Sequence, residues 1–363
     1  MKAFFSNIKN WFSNTGARSI EDLQGLEKVD AMFTDLATQT RIPGMSVSVI
    51  KQGQPLLQKG YGYANLDGKT AVDPQITLFR IASVSKCITG LALARMVEEG
   101  LLDLDDSFYK HVPYFPQKEF DFSLRQLAGH TAGIRSYRGK EYALNQPYSI
   151  KDSIEVFKDA PLQFQPGKGY LYNSFDFVLL SLAMQEASGV SFEQYVQNKV
   201  LGPLGMQNTL SPNQIEQNPS ILTTKGLQKA GFYTKTRGGF KKAVSVNNQY
   251  KLAGGGYLST ASDIGKLGMA ILEGKLVQPD AMQEILTSQK VDGDATYYGL
   301  GFQVSQDEQG IPFVGHVGNS VGAYSNFFIY PKEEMVITIL INSTDPKVQE
   351  ELNAIVKYLL KNN

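Results

Sequence analysis

Residues 79–90 read FRIASVSKCITG. Ser83 and Lys86 make S-x-x-K. The run from Ser83 to Glu99, SVSKCITGLALARMVEE, carries Ile88, Leu91, Leu93, Met96 and Val97 and is apolar nearly all round. A helix of that character is buried, and Gly100 is placed to cap its C-terminus. Positions i and i+3 share a helix face, so the Lys86 amine is within reach of the Ser83 hydroxyl. A serine is a weak nucleophile until a neighbouring base takes its proton. A lysine serves once burial or a nearby cation lowers its pKa from about 10.4 toward neutrality. At the first turn, Ser83 also meets free backbone N–H groups and the positive end of the helix dipole, which suit a forming oxyanion. The competing reading is a helix cap beside a surface lysine, and the motif alone leaves the two level.

Three other S-x-x-K pairs are weaker. Ser48–Lys51 lies in a predicted strand, where i and i+3 point to opposite faces. Ser6–Lys9 lies in the N-terminal stretch, and Ser107–Lys110 follows the charged DLDD. A different nucleophile is suggested by residues 318–322, GNSVG, the G-x-S-x-G pattern of an α/β-hydrolase elbow. That elbow needs a helix after the serine and a histidine later in the chain. Here AYSNFFIYP follows, which reads as a strand, and the last histidine, His316, precedes Ser320. Ser320 is therefore expected to be a turn residue.

Outward from the 79–90 stretch, strands are expected at 45–50 and 56–63, joined by the turn KQGQP. Helices are expected at 151–159, 174–188 and 191–200. After three glycines at 254–256, STASDIGKLGMAILEG reads as a helix, with Thr260 and Asp263 in capping-box spacing. Strands near 299–305, 311–317, 323–330 and 335–342 precede an amphipathic helix near 347–360. Strands at both ends and helices between them predict an α+β fold: a mostly antiparallel sheet flanked by helices, plus an all-helical subdomain. The corresponding division is an N-terminal extension at 1–27, a sheet subdomain from 28–80 and 290–363, and a mainly helical subdomain at 81–289.

The 363 residues carry 35 basic and 35 acidic side chains, so no net charge favours nucleic acid as a partner. The single cysteine, Cys87, and three separated histidines give no metal-ligand spacing, and no metal or cofactor is expected. Cys87 reads as a small buried residue. In MKAFFSNIKNWFSN, Phe4, Ile8 and Trp11 recur at helical spacing. Residues 1–14 are read as a frayed helix packed on the body, as a remnant left after signal removal, or as a short interfacial helix touching a membrane. They do not have the apolar run of a secretory signal. The compartment stays open.

FRIASVSKCITG is followed by HTAGI at 130–134, PGKGYLYNSFDF at 166–177, AGGGYLST at 253–260 and GHVGNSVG at 315–322. In this order and spacing the chain resembles the serine β-lactamase-like family, which includes class C β-lactamases, low-molecular-weight penicillin-binding proteins, esterases and D-amino-acid peptidases. VNNQYKLAGGGYLST and HTAGIRSY resemble most its mitochondrial branch and that branch's bacterial relatives. The resemblance runs from about residue 28 onward and implies the β-lactamase/transpeptidase-like fold.

It also implies roles. Ser83 is the nucleophile, Lys86 its base, and Tyr172, in Tyr172-Asn173-Ser174, relays a proton to the leaving group. Backbone N–H groups of Ser83 and Asn319 hold the oxyanion. Ser174, where the family usually has asparagine, and Gly318 contact substrate. His316-Val317-Gly318 matches the family's K-T-G or H-T-G, and His316 is expected to hydrogen-bond or polarise Tyr172. The loss of the Lys and of the hydroxyl at 317 implies weak β-lactam turnover and favours an ester or peptide substrate. His130 is assigned no chemistry, and Gly254, Gly255 and Gly256 let backbone pass close to the pocket. The expected activity is a serine acyl-hydrolase working through an acyl-enzyme on a small-molecule or peptide substrate. The alternative is a catalytically idle or self-assembling scaffold on the same fold, and homo-oligomerisation is left open in either case.

Overall fold

A computed structural model describes residues 19–39 and 41–362. The helix expected around Phe4, Ile8 and Trp11 lies outside the described residues. A seven-stranded, wholly antiparallel sheet runs in the order Gln303–Gln306, Pro312–Ser320, Ala323–Tyr330, Met335–Ile341, Gly44–Lys51, Gln54–Asn65, Thr70–Ala71. Strands from the two ends of the chain meet where Gly44–Lys51 pairs with Met335–Ile341, Val47 opposite Ile339.

Alternation along MSVSVI explains the layering. Met45, Val47 and Val49 share a core with Val29 and Phe33 of the Gly25–Thr38 helix and with Leu352, Ile355 and Leu359 of the Gln349–Asn362 helix. Ser46 and Ser48 alternate with them, so they face the opposite side, where the Ala261–Leu272 helix packs. There Gly265 sits over Ser48 and Ile50, and Gly268 over Val336 and Phe327. Small residues on both surfaces let helix and sheet approach closely. Thr260 caps this helix by accepting from Asp263 N at 3.2 Å.

The middle of the chain is mainly helical. Its two central helices, Ser85–Glu98 and Phe175–Ser188, are buried on nearly every side, as their uninterrupted apolar composition demands. The stretch also contributes short strands, Tyr233–Thr236 and Gly239–Lys242, which pair with each other. Two expected elements differ in form. The 151–159 helix is a short Ile150–Ser153 turn continued by a 3-10 turn to Val156. Of 299–305, only the end joins the sheet, because residues 299 and 300 spend their amides elsewhere: Gly299 N donates to Phe302 O at 2.8 Å and Leu300 N to Ile285 O at 2.9 Å. Among the described residues no helix is long and apolar enough to cross a membrane.

Candidate active site

The strand Thr77–Arg80 delivers the chain into a 3-10 turn, Ala82–Val84, and the α-helix begins one residue later at Ser85. Ser83 therefore sits in the turn that opens the helix, not in its first α-helical residue. Ala82 holds a φ of 46°, a left-handed conformation that costs a non-glycine residue strain. The surroundings hold the turn in place. Ile81 N donates to Tyr257 O at 3.1 Å, and the Ser325 hydroxyl donates to Ile81 O at 2.8 Å.

Two side chains meet Ser83. The Tyr172 hydroxyl donates to Ser83 Oγ at 2.8 Å, and Lys86 Nζ lies 3.5 Å from the same oxygen. Lys86 also donates to Gly254 O at 2.6 Å, so the Leu252–Gly256 turn fixes the amine. Its ammonium is fully buried and faces the rings of Tyr172 and Phe177. Burial pulls the Lys86 pKa down from 10.5 to about 7, against the opposing pull of the Asp176 carboxylate. Burial pushes the Tyr172 phenol up, so it keeps its proton at neutral pH.

These groups open onto a cleft of about 480 Å³ lined by Ser83, Tyr172, Ser174, Gly254, Asn319 and Ser320, among others. The far wall is the Pro312–Ser320 strand. Its neighbour Gln303–Gln306 pairs only as far as Gly315, so residues 317–320 have no strand on that edge. Gly318 runs against the Ser83 turn: a Cβ there would sit 2.9 Å from Ser83 N and 2.3 Å from Ser325 Oγ. Only a glycine lets the two backbones lie this close. Asn319 is exposed beside it.

Ser320 ends that strand. Val321 and Gly322 form a two-residue hairpin turn, Ser320 pairs with Ala323, and a second strand follows. Gly322 takes φ 70° there. The strand–turn–helix required of an elbow is absent at this position.

His316 departs from expectation. It is buried behind the lining residues, and its hydrogen bonds go to Val317 O (from Nδ1, 2.6 Å) and to Tyr298 Oη (at Nε2, 2.9 Å). A carbonyl only accepts, so Nδ1 carries the proton and Nε2 accepts from Tyr298. Burial, helped by the Lys86 charge, holds the imidazole down near 3, so it is neutral. Its ring is 5.8 Å from that of Tyr172, with Tyr298 packed against both. Tyr298, not Tyr172, is its hydrogen-bonding partner.

His130 packs directly on Tyr172, ring centroids 4.6 Å apart, and its Nδ1 meets Asp176 Oδ2 at 2.7 Å. Asp176 Oδ2 also accepts from Asn173 Nδ2 at 2.7 Å. Burial pushes the Asp176 carboxyl up and the His130 imidazole down, favouring the neutral form of each. The His130 ring, fixed by Asp176, packs beneath Tyr172 and supports it over Ser83. Asn173, the middle of the tyrosine motif, turns its side-chain amide inward to Ile134 O, Leu171 O and Asp176, and Ser174 lines the cleft beside it.

The sequence reading passed over Asp176, Lys251, Tyr298 and Ser325. Asp176 left one local signal: three residues after Asn173, it receives the Asn173 side chain in helix-capping spacing, its N–H donating to Asn173 Oδ1 at 2.9 Å.

The Beta-lactamase family description matches residues 29–360. The chain belongs to the beta-lactamase family. This beta-lactamase-family chain is 28% identical, over 404 aligned residues, to the mitochondrial serine beta-lactamase-like protein LACTB of Homo sapiens, covering 84% of this chain and 72% of that one. Among solved structures, it is similar to the octameric penicillin-binding protein homologue from Pyrococcus abyssi, with a TM-score of 0.80 and 25% identity, covering 94% of this chain and 78% of that one. The D-amino acid amidase from Ochrobactrum anthropi SV3 shares the fold, with a TM-score of 0.78 and 18% identity over 92% of this chain and 99% of the amidase.

Proposed function

We propose that the chain is a serine acyl-hydrolase that acts through an acyl-enzyme on an ester or amide. The observation that carries this reading is the single oxygen, Ser83 Oγ, placed 2.8 Å from the Tyr172 hydroxyl and 3.5 Å from a lysine amine pulled to about 7. At neutral pH about half of that amine is free base, so it accepts the Ser83 proton as Oγ attacks the carbonyl carbon. The oxyanion lies between the backbone N–H groups of Ser83 and Asn319. As the C–O or C–N bond breaks, Tyr172 gives its proton to the leaving group and recovers one from Lys86. Water then attacks the acyl carbon while Lys86 takes its proton, and the ester bond to Ser83 Oγ breaks as that proton returns to Oγ. Ser174 and the edge beside Gly318 contact the substrate. His316 acts through Tyr298 as a positioning residue for the rings around Tyr172.

Turnover of β-lactams is weak in this reading. His316 is neutral and turned toward Tyr298, so position 316 offers no cation to a lactam carboxylate. The amidase with the same fold supports acyl chemistry in such a cleft. The octameric homologue favours a second property, self-assembly, which an active site does not exclude. Light scattering on the purified chain tests it, and a monomer at all concentrations removes it.

The test of the main reading is covalent labelling. Wild type treated with a fluorophosphonate gains the probe's mass, Ser83→Ala does not, and Ser320→Ala does. Labelling that persists in Ser83→Ala and vanishes in Ser320→Ala would overturn the assignment. No labelling in any form, with no turnover of p-nitrophenyl esters, leaves the idle scaffold.

A further inference from the structure

Lys251 lines the same cleft, yet no step above uses it. Its side chain is 5% exposed, and Nζ lies 5.7 Å from the ring centroids of both Tyr137 and Tyr250. It makes one hydrogen bond, to Tyr142 O at 3.0 Å. An ammonium carries three donors, and among the described residues no carboxylate lies within ion-pair distance of this one. A buried charge without a counter-ion is costly unless something else repays it.

The neighbouring charges sharpen the point. Lys86 and Arg80 both depress the Lys251 pKa, which burial chiefly sets, at about 8. Of the nearby carboxylates, Asp345, which also lines the cleft, makes a solvent-exposed pair with Lys347 at 2.6 Å, and Glu141 pairs with Arg135 at 2.7 Å. Lys251, with donors to spare, is therefore a buried cation on the wall of this cleft, close to the near-neutral Lys86. Such a site concentrates anions.

Resting on the acyl-hydrolase reading, we propose that Lys251 anchors a carboxylate of the substrate, so that the preferred ester or amide carries an anionic group away from the reacting carbonyl. The two tyrosine rings flank the ammonium, and its donors beyond the bond to Tyr142 O are left for a ligand in the cleft. The selective element is then Lys251, on the wall opposite the Pro312–Ser320 strand.

Two matched substrate pairs test this: p-nitrophenyl valerate against the p-nitrophenyl half-ester of glutaric acid, and phenyl acetate against 3-carboxyphenyl acetate. The readout is the ratio of kcat/KM within each pair, in wild type, Lys251→Met and Lys251→Gln. Gln retains a donor for Tyr142 O. A hydrogen-bonded charge pair corresponds to a preference of about tenfold to a hundredfold. Wild type is expected to favour the carboxylate member of at least one pair by that factor, and both variants to bring that ratio near one. Equal rates within both pairs in wild type overturn the proposal. So does a ratio that survives both substitutions, even if the two members slow together, because Lys251 would then act on the scaffold alone. If neither neutral ester is turned over and Ser83 takes no probe, the acyl-hydrolase reading is what has failed.

Discussion

Replacing Lys86 by methionine should abolish ester turnover and make the protein more stable at neutral pH. Methionine fills nearly the same volume without a charge. In the folded chain, burial draws the Lys86 pKa from 10.5 to about 7. The unfolded chain, with the ordinary value, therefore binds the proton more tightly between those two pH values, and stability rises with pH across that window. The cost of the buried lysine is fully present below about 7 and gone above about 10.5. At about 1.4 kcal/mol for each tenfold change in proton affinity, it is on the order of 5 kcal/mol. Loss of the bond to Gly254 O subtracts about 1 kcal/mol at every pH. At pH 6.5 the variant should then gain about 4 kcal/mol. At pH 9.5 the residual cost of the lysine is only about 1.4 kcal/mol, and the net gain is close to zero. With roughly 2 °C of Tm per kcal/mol in a chain of this size, the Tm gap should narrow by roughly 8 °C between the two pH values. Calorimetric scans of wild type and Lys86→Met at both values read it directly. A gap of the same size at both, or a variant less stable at both by a fixed margin, would refute the claim that Lys86 is held as a destabilised, near-neutral amine.

The same amine should set the kinetics: log kcat/KM for a neutral ester rises with unit slope below about 7 and then levels, so pH 5 gives about a hundredth of the plateau. A stopped assay from pH 5 to 9 measures it, and a limb near pH 4 would point to a carboxylate base instead. Tyr172→Phe should lower kcat by about 10²- to 10⁴-fold while circular dichroism stays unchanged, because the ring still packs on His130 and only the proton carrier is lost. Gly318→Ala should cost roughly 1–3 kcal/mol of stability, since its Cβ would stand 2.3 Å from Ser325 Oγ and 2.9 Å from Ser83 N. It should also reduce kcat/KM by about a hundredfold by wedging the strand away from the Ser83 turn. Wild-type rates in that variant would mean the strand does not need to lie so close.

The parts of this molecule that could be read beforehand are those with a local period. The alternation in MSVSVI and the apolar run after Ser83 each report a burial pattern within a few residues, so the α+β layering and the central helix were legible. Ser83 and Lys86 are three residues apart, and helical geometry alone brings them together. What could not be read was the identity of distant partners. Nothing in VNNQYKLAG signals that Lys251 is buried, and what buries it includes a loop 109 residues earlier that supplies its hydrogen-bond acceptor. The acceptor for Lys86 comes from 168 residues later. His316 lies in the strand expected near 311–317, but its direction depended on Tyr298, which precedes the segment expected as a strand near 299–305. In each case the misjudged quantity was the environment of a polar group, and that environment is assembled by segments remote in sequence. The same remoteness gives the site its chemistry. A lysine stays near neutrality only when several chain segments withhold water and counter-ions from it at once. Here the Ser83 helix, the Tyr172 loop and the Gly254 turn all close on one amine. The helical and loop segments together withhold solvent, while the strand carrying Gly318 sets how closely a carbonyl can approach Ser83. Reactivity and substrate placement are thereby divided between the two layers of the fold.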